Sequence, residues 1–513
     1  MSDIENVVSV EGEDETPRRA ASFPRTVARV LDAALASRPH AAAVEAASGA
    51  WSYAELDDRA RRAPGALWSL GVRPGDRVAA CLPNDLDIVA AFHGTQRIGA
   101  VWAGVGEALP AGEQQGLHDL CEPAVVLAGP RCLLDVPGRV GPDRWAELMA
   151  RGETAPRIDA DPAAPAGIAF TSGTSGRPKA VVHSQRNLLL PGAVLAATRG
   201  WGPELRKGDS FPLTILNLMV LSTLLTAQTG GCSVVMDRRD AGGVADWIST
   251  RRVTVWNGAP AQLYDLARRP ELDLRSLREV WSGGGDTTDA LRREFADAHG
   301  LVPRTTYGLT EAPTVVSIDP PGTAWRPRAS GLVLPHYEVA AYDDENRRLP
   351  AGELGELRLG GAASGPWAGA WRPLLGYWEQ GRVRPAEPGP VPTGDVGTVD
   401  GDGWLTVLDR KKLVIVRGGA NVYPLEVERV LSTHPDVAAA AVCGVPDDRL
   451  GQRVAALVQS AGPPLDAGAL AAHCRRELSP YKVPEIWSQV DALPRNAMGK
   501  VQRTLLPGLA APS

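Results

Sequence analysis

The segment Thr171-Ser-Gly-Thr-Ser-Gly-Arg-Pro-Lys179 packs four hydroxyls, two glycines and a lysine into nine residues, directly after the apolar run Ile168-Ala-Phe170. Gly173 and Gly176 permit positive φ, so backbone N–H groups can turn toward one anion. Thr171, Ser172, Thr174 and Ser175 add short donors, and Lys179 adds a compact point charge suited to phosphate. The spacing is not GxxxxGK[ST], so the phosphate chemistry is not that of a Walker loop. Small polar loops are commonly plain surface turns; this combination after a buried strand points to anion binding.

Five further stretches follow in order: Tyr307-Gly-Leu-Thr-Glu311, Thr393-Gly-Asp395, Leu408-Asp-Arg-Lys-Lys412, Arg417-Gly-Gly-Ala-Asn-Val-Tyr-Pro-Leu-Glu426 and Pro494-Arg-Asn-Ala-Met-Gly-Lys500-Val-Gln-Arg503. Together with the 171–179 loop they resemble the signatures of the adenylate-forming superfamily: acyl-CoA synthetases, firefly luciferases and the adenylation domains of peptide synthetases. The resemblance runs from about Trp51 to Arg503. Singly, Glu311 or Asp395 would read as a solvated carboxylate and Tyr307 as a core aromatic; their order after the loop is what lifts them.

The resemblance implies an ATP-dependent acid–CoA ligase. A carboxylate attacks the α-phosphorus of ATP to give acyl-adenylate and pyrophosphate, and the CoA thiolate then gives thioester and AMP. Lys500, Thr174, Glu311 and Lys179 would be catalytic. The ATP/AMP site would comprise Thr171, Ser172, Gly173, Thr174, Ser175, Gly176 and Lys179, with Gly283, Gly284 and Gly285 at the purine edge. Tyr307 would stack on adenine, between Thr306, Gly308 and Thr310. Asp395 and Arg410 would bind ribose, and Lys500 the reacting phosphate. Thr174 and Glu311 would hold Mg²⁺, a cation that takes hard oxygen ligands. Lys412 would be a hinge, and Gly418-Gly419 would serve the CoA step. Thr214, Asn217 and Gly308 would line the acid pocket. The alternative acceptor is a carrier protein's phosphopantetheine arm. CoA is favoured because Val414–Pro424 looks most like acyl-CoA synthetases and no appended carrier domain is expected beyond residue 513. A third reading, an inert nucleotide-binding relative, is opposed by Lys500, Glu311 and Asp395.

Three departures from the family pattern stand out. Gly104-Val-Gly-Glu-Ala replaces an Asn-Pro pair, Gly283-Gly-Gly-Asp286 replaces Gly-Gly-Ala-Pro, and Pro212–Met219 lacks the usual aromatic and histidine. An α-amino acid would need a buried carboxylate for its ammonium, because an unpaired buried charge is costly. Residues 211–219 hold none. The expected substrate is therefore a lipophilic acid without an α-amine, aryl rather than straight alkyl, with Thr214 and Asn217 placed to bond a ring hydroxyl.

These residues need a scaffold. Residues 26–150 alternate strand-like runs (Val78–Leu82, Ala100–Ala103) with helix-like ones (Leu56–Leu70, Ile88–Ile98), and Pro64-Gly65 is expected to interrupt or kink the first helix. The alternation recurs over 165–315, with strands at 167–170, 233–236, 253–256 and 279–282 and a helix over 187–198. Such βα alternation predicts parallel sheets with covering helices. Residues 330–408 read as short strands between Gly and Pro turns. After Asp409 the pattern predicts a helix over 426–431, strands at 438–443 and 454–458, and a helix over 469–478. The expected fold is α/β: a large N-terminal domain (23–409) of two parallel-rich sheets plus a small β-rich subdomain, a hinge at 410–412, and a small mobile α+β C-terminal domain (413–513). Residues 1–22, acidic and poor in aromatics, read as a disordered tail.

The whole chain, 513 residues with net charge −6, offers no basic face for nucleic acid. Only six of its 54 basic residues are lysines, at 179, 207, 411, 412, 482 and 500, and Lys207 stands outside the motifs. Each is worth inspection, since Arg cannot replace a compact ammonium. The six cysteines show no CxxC or zinc-ligand spacing and read as reduced thiols of a cytoplasmic protein. No apolar run approaches membrane-spanning length, and the acidic start is not a signal peptide.

Overall fold

The structure, a computed structural model, describes residues 24–171, 178–285, 287–462, 464, 466–495 and 501–510. The 1–22 tail, loop residues Ser172, Gly173, Thr174, Ser175 and Gly176, and Lys500 lie outside the described residues.

Two large sheets form the body, and both have a parallel core. The nine-stranded sheet runs Leu332–Val333, Thr314–Ile318, Arg304–Leu309, Glu279–Ser282, Val255–Gly258, Arg206–Asp209, Cys232–Val235, Ala42–Ala46, Gly49–Ser52. Its six central strands pair in parallel. The eight-stranded sheet runs Arg382–Pro385, Gly376–Glu379, Lys179–Ser184, Pro165–Thr171, Val101–Gly104, Arg77–Cys81, Val125–Ala128, Arg139–Val140. Strands such as Val101–Gly104 and Val125–Ala128 are buried at every residue, as expected when helices cover both faces of a parallel sheet. A four-stranded antiparallel sheet follows, built from Tyr337–Tyr342, Gly355–Gly361, Val391–Val399 and Leu405–Arg410. The C-terminal five-stranded sheet centres on the long hairpin Val437–Asp447/Gly451–Ser460. It packs on helices Pro424–Leu431 and Ala467–Glu477.

One local expectation is corrected in part: Pro64 does not interrupt its helix. The first long helix, Tyr53–Ser69, is continuous through Pro64. It starts on a capping box, Ser52 with Glu55. The segment Ala63–Leu67 is buried, and Gly94 of the next helix lies against Ala63 and Pro64. Tertiary burial here outweighs an interior proline's cost of about 3 kcal/mol. Helix Gln185–Arg199 likewise carries Pro191.

The central strands of the nine-stranded sheet end in register, Asp209 beside Asn257 and Gly258 beside Ser282. Gly283–Gly285 leave from that carboxyl edge, where open α/β sheets bind ligands. Gly104, ending its strand in the other sheet, touches the 211–217 segment. A Cβ there would lie 1.7 Å from the Thr214 carbonyl oxygen, and that atom is backbone. Gly104→Ala should therefore lower stability by about 1–3 kcal/mol, the scale of overpacking, and displace Thr214. A thermal midpoint and an acid KM both unchanged would show that the two segments move apart freely.

Candidate active site

Thr171 and Lys179 face each other where the hairpin Pro165–Thr171/Lys179–Ser184 opens into the loop. Both strands of this hairpin belong to the eight-stranded sheet. Lys179 is exposed, with Nζ 5.3 Å from the ring centre of Tyr377. Tyr377 lies on the neighbouring strand, opposite Val181.

Glu311 follows the strand Arg304–Leu309. Burial pushes its carboxyl up, and its own backbone N–H, then the charges of Arg410 and Lys179, pull it back. Two cations from different segments thus act on the Glu311 carboxyl. Thr310 beside it is fixed through its carbonyl, which accepts from His183 Nε2 at 2.7 Å. Burial lowers His183 to about 4, so the ring is neutral at neutral pH and donates from Nε2. His183 sits on the phosphate-loop hairpin, so one hydrogen bond locks the 171–179 and 307–311 segments together. Sequence reading missed it; the available signal was a histidine inside the apolar run Ala180–Ser184.

Asp395 is buried and bonded from two sides. Tyr307 Oη donates to Oδ2 at 2.6 Å, and Arg410 Nε lies 2.6 Å from Oδ1. Asp395 and Arg410 are register partners on adjacent strands, and Tyr307 belongs to the large sheet. Burial, then the Asp395 charge, holds the Tyr307 hydroxyl well above its usual pKa, so it stays a donor. Gly283 and Thr306 meet nearby: Thr306 Oγ1 donates to the Ser282 carbonyl at 3.0 Å, and a Cβ on Gly283 would lie 2.4 Å from Oγ1. Gly284 and Gly285 are exposed. Gly308 sits at a register shift beside Tyr307, tight against the Thr314 carbonyl.

The acid segment is held from outside by Asn84, another residue missed in sequence. Its side-chain amide donates to Phe211 O (2.7 Å) and Met236 O (3.2 Å) and accepts from Leu213 N (2.8 Å). Thr214 is buried with no hydrogen-bond partner for Oγ1 among the described residues. Asn217 is half-buried, on the short helix Leu216–Met219.

Gly418 and Gly419 form the exposed two-residue turn between Ile415–Arg417 and Ala420–Val422, with φ of 57° and 83°. Positive φ at both positions is the demand of a type I′ hairpin turn, which glycine meets without strain. Lys412 is exposed. Lys411 bonds Asp344 (3.0 Å) and Glu356 (3.3 Å). Asp409 is buried and accepts from Arg410 N (2.7 Å) and from Leu425 N (2.8 Å), in the first turn of helix Pro424–Leu431.

Family models match over residues 31–366, an AMP-binding enzyme, and over 426–500, an AMP-binding enzyme C-terminal domain. The chain is 32% identical over 486 residues to a feruloyl-CoA synthase from an Amycolatopsis species, covering 90% of this chain and 94% of that one. It is 30% identical over 480 residues to the long-chain-fatty-acid–CoA ligase FadD13 of Mycobacterium tuberculosis, covering 89% and 92%. Among solved structures, the anthranilate CoA ligase AuaEII in complex with anthranoyl-AMP superposes with a TM-score of 0.87 at 25% identity, covering 96% and 98%.

Asp409 makes a pH prediction. Burial raises its pKa to about 6 from 3.8. Between those values the folded chain holds the proton more tightly than the unfolded one, so stability falls as pH rises, by about 3 kcal/mol across the window. Asp409→Asn cannot ionise. The unfolding free energy of wild type minus variant should therefore decline from pH 4 to pH 7; a flat difference would mean that Asp409 titrates as an exposed carboxyl.

Proposed function

The chain belongs to the AMP-binding enzyme family and is an AMP-forming acid–CoA ligase, and from that premise we propose that its acid is lipophilic, aryl, and lacks an α-amine. The observation that carries this reading is the 211–217 segment: it is largely apolar, contains no carboxylate, and presents a buried Thr214 hydroxyl without a partner among the described residues. A buried hydroxyl left unbonded costs about 1–3 kcal/mol, which a phenolic or methoxy oxygen on the substrate would offset. Asn217 is a second donor on the same segment. The feruloyl and anthranilate ligases among the relatives support an aryl acid, and the fatty-acid ligase supports the lipophilic class.

In the first step the substrate carboxylate attacks the α-phosphorus and pyrophosphate leaves. Tyr307, Gly283–Gly285 and Thr306 would cradle the adenosine, with Gly308 and Thr310 at its edge, while Asp395 and Arg410 hold the ribose. Asp395 already accepts from Tyr307 and Arg410, so a ribose hydroxyl would share its remaining lone pairs. Lys179 and the loop Thr171–Gly176 would take the β- and γ-phosphates. Glu311, a half-buried hard-oxygen donor, fits Mg²⁺ together with Thr174; the ion would neutralise phosphate charge. Lys500 would meet the charge that grows on the α-phosphate. Residues 413–513 would then turn about the 410–412 hinge, carrying the Gly418-Gly419 turn toward the site for CoA. A backbone turn without side chains suits a passage for the slender pantetheine arm. CoA is the acceptor in this reading, in keeping with the relatives' names, and no observation favours a carrier protein.

Two measurements test it. A pyrophosphate-release panel should rank hydroxylated and methoxylated aryl acids above straight alkyl acids, with free amino acids inert; robust turnover of an amino acid alone would overturn the reading. The half-reactions should also separate. Lys179→Ala should slow adenylation roughly 10–1,000-fold, the scale for losing one charge-stabilising donor, and spare thioester formation from synthetic acyl-adenylate. Lys500→Ala should abolish adenylation with the same sparing. Equal loss in both halves would make Lys500 a general electrostatic residue.

A further inference from the structure

Cys81 and Cys132 are 51 residues apart in sequence and share one small apolar cluster with Val126, Ala128 and Leu134. Cys81 ends the strand Arg77–Cys81, and its carbonyl accepts from Gly129 N at 2.7 Å. The turn from Gly129 closes through Cys132 N to Gly129 O at 3.1 Å. Gln114 Oε1 then accepts from both sides of the pair, Cys81 Sγ at 3.7 Å and Leu133 N at 2.9 Å. Each thiol is the first influence on the other's ionisation, as expected of two sulfurs sharing one cluster.

We propose that Cys81 and Cys132 form an oxidative modification site, a dithiol that hydrogen peroxide converts to a disulfide and that thereby controls use of the carboxylic acid. Their surroundings divide the two roles. The Cys81 S–H first, then the Leu134 N–H and the Arg139 charge, lower the Cys132 thiol below its usual pKa, while Cys81 is raised. Cys132 is thus the nucleophile and Cys81 the resolving thiol, since the thiolate is the reactive form. Cys132 is itself buried but is flanked in its turn by exposed Arg131 and Leu133, and a small oxidant would enter between them. Its sulfur attacks one peroxide oxygen, the O–O bond breaks, and hydroxide leaves, taking up the proton that Cys132 gave up. The Cys81 sulfur then attacks the sulfenic sulfur. The S–O bond breaks, and hydroxide departs with the Cys81 proton as a second water. Two thiols lose two electrons and one peroxide becomes two waters.

The route to the acid pocket is short. Cys81 is followed by Leu82-Pro83-Asn84, and Asn84 holds Phe211 and Leu213 through three side-chain hydrogen bonds to that segment and Met236. A Cβ on Gly129 would meet Pro83 at 2.8 Å, so the turn carrying Cys132 packs against the same link. Closing the disulfide draws on this link, and the 211–217 segment follows.

The test uses the full-length reduced enzyme and stoichiometric hydrogen peroxide, followed by alkylation, thiol counting after denaturation, and peptide mapping. Thiols should fall from six to four, intact mass should drop by two hydrogens, and one cross-linked peptide pair should contain Cys81 and Cys132. Oxidised enzyme should show an acid KM raised at least threefold with ATP KM unchanged, reversed by dithiothreitol. Cys132→Ser and, separately, Cys81→Ser should each abolish both the cross-link and the KM shift; Cys132→Ser alters a buried turn position and no strand, and keeps the test open if the strand variant does not fold. Six retained thiols, or oxidation spread over the other cysteines, would overturn the site; a disulfide with unaltered acid KM would overturn the control. Thiol counts and mapping require no turnover, so they stand whichever acid the enzyme accepts.

Discussion

A buried anion without partners is among the costliest things a fold can contain, and Asp395 is 3% exposed. Its two bonded partners come from different parts of the chain: Tyr307 from the nine-stranded sheet and Arg410 from the last strand of the small antiparallel sheet. Satisfying this one carboxylate therefore fixes how the small sheet docks on the large one. Losing one partner of a buried pair typically costs 3–5 kcal/mol, more than the gain from a surface ion pair. The docking also determines where the chain leaves strand Leu405–Arg410, and hence where the C-terminal sheet begins.

The second large sheet is joined to this centre by a different bond. His183 reaches from the hairpin under the phosphate loop to the carbonyl of Thr310. A charged imidazole there would be expensive, and burial keeps it neutral. The carboxyl of Glu311, one residue on, is pulled down by the charges of Arg410 in the small sheet and Lys179 in the same hairpin. Three sheets thus converge on five consecutive residues, Tyr307–Glu311, where the Tyr307 side chain and the Thr310 carbonyl make the cross-links. That geometry explains the dense motif at 307–311 better than any property of the strand itself: the segment is the junction.

How much of this was legible in the sequence follows from what each residue's neighbours are. The motif order gave the family and, with it, the two parallel-rich sheets, the small β subdomain and the C-terminal α+β unit, because those residues announce themselves by local composition. Strand and helix positions came within a few residues where apolar periodicity was strong, as at Glu279–Ser282. Pro64 misled because a local rule, the missing N–H, was overridden by burial against Gly94 that sequence does not display. His183, Asn84 and Tyr377 were invisible for a related reason. Their partners lie 127, 127 to 152, and 198 residues away respectively, and nothing in the neighbouring residues signals a bond across that distance. Sequence names residue types that can do chemistry; it does not name the residues that hold them still.

The scarcity of lysine carries the same lesson with one instructive case. Lys207, outside every motif, is fully buried beside Asp209, Nζ to Oδ2 at 2.8 Å, and also donates to Gly208 O. Both side chains lie on a strand whose carboxyl end borders the site edge, and Asn257 on the adjacent strand also donates to Asp209, at 3.4 Å. An arginine fork would need space for a planar group where the ammonium already meets Trp281 at 5.5 Å from its ring centre. In a chain with 48 arginines, lysine persists here because a small tetrahedral cation fits between two buried strands and a guanidinium does not. The pair neutralises Asp209 inside the sheet, so that strand can end at the site edge without leaving a buried charge there unpaired.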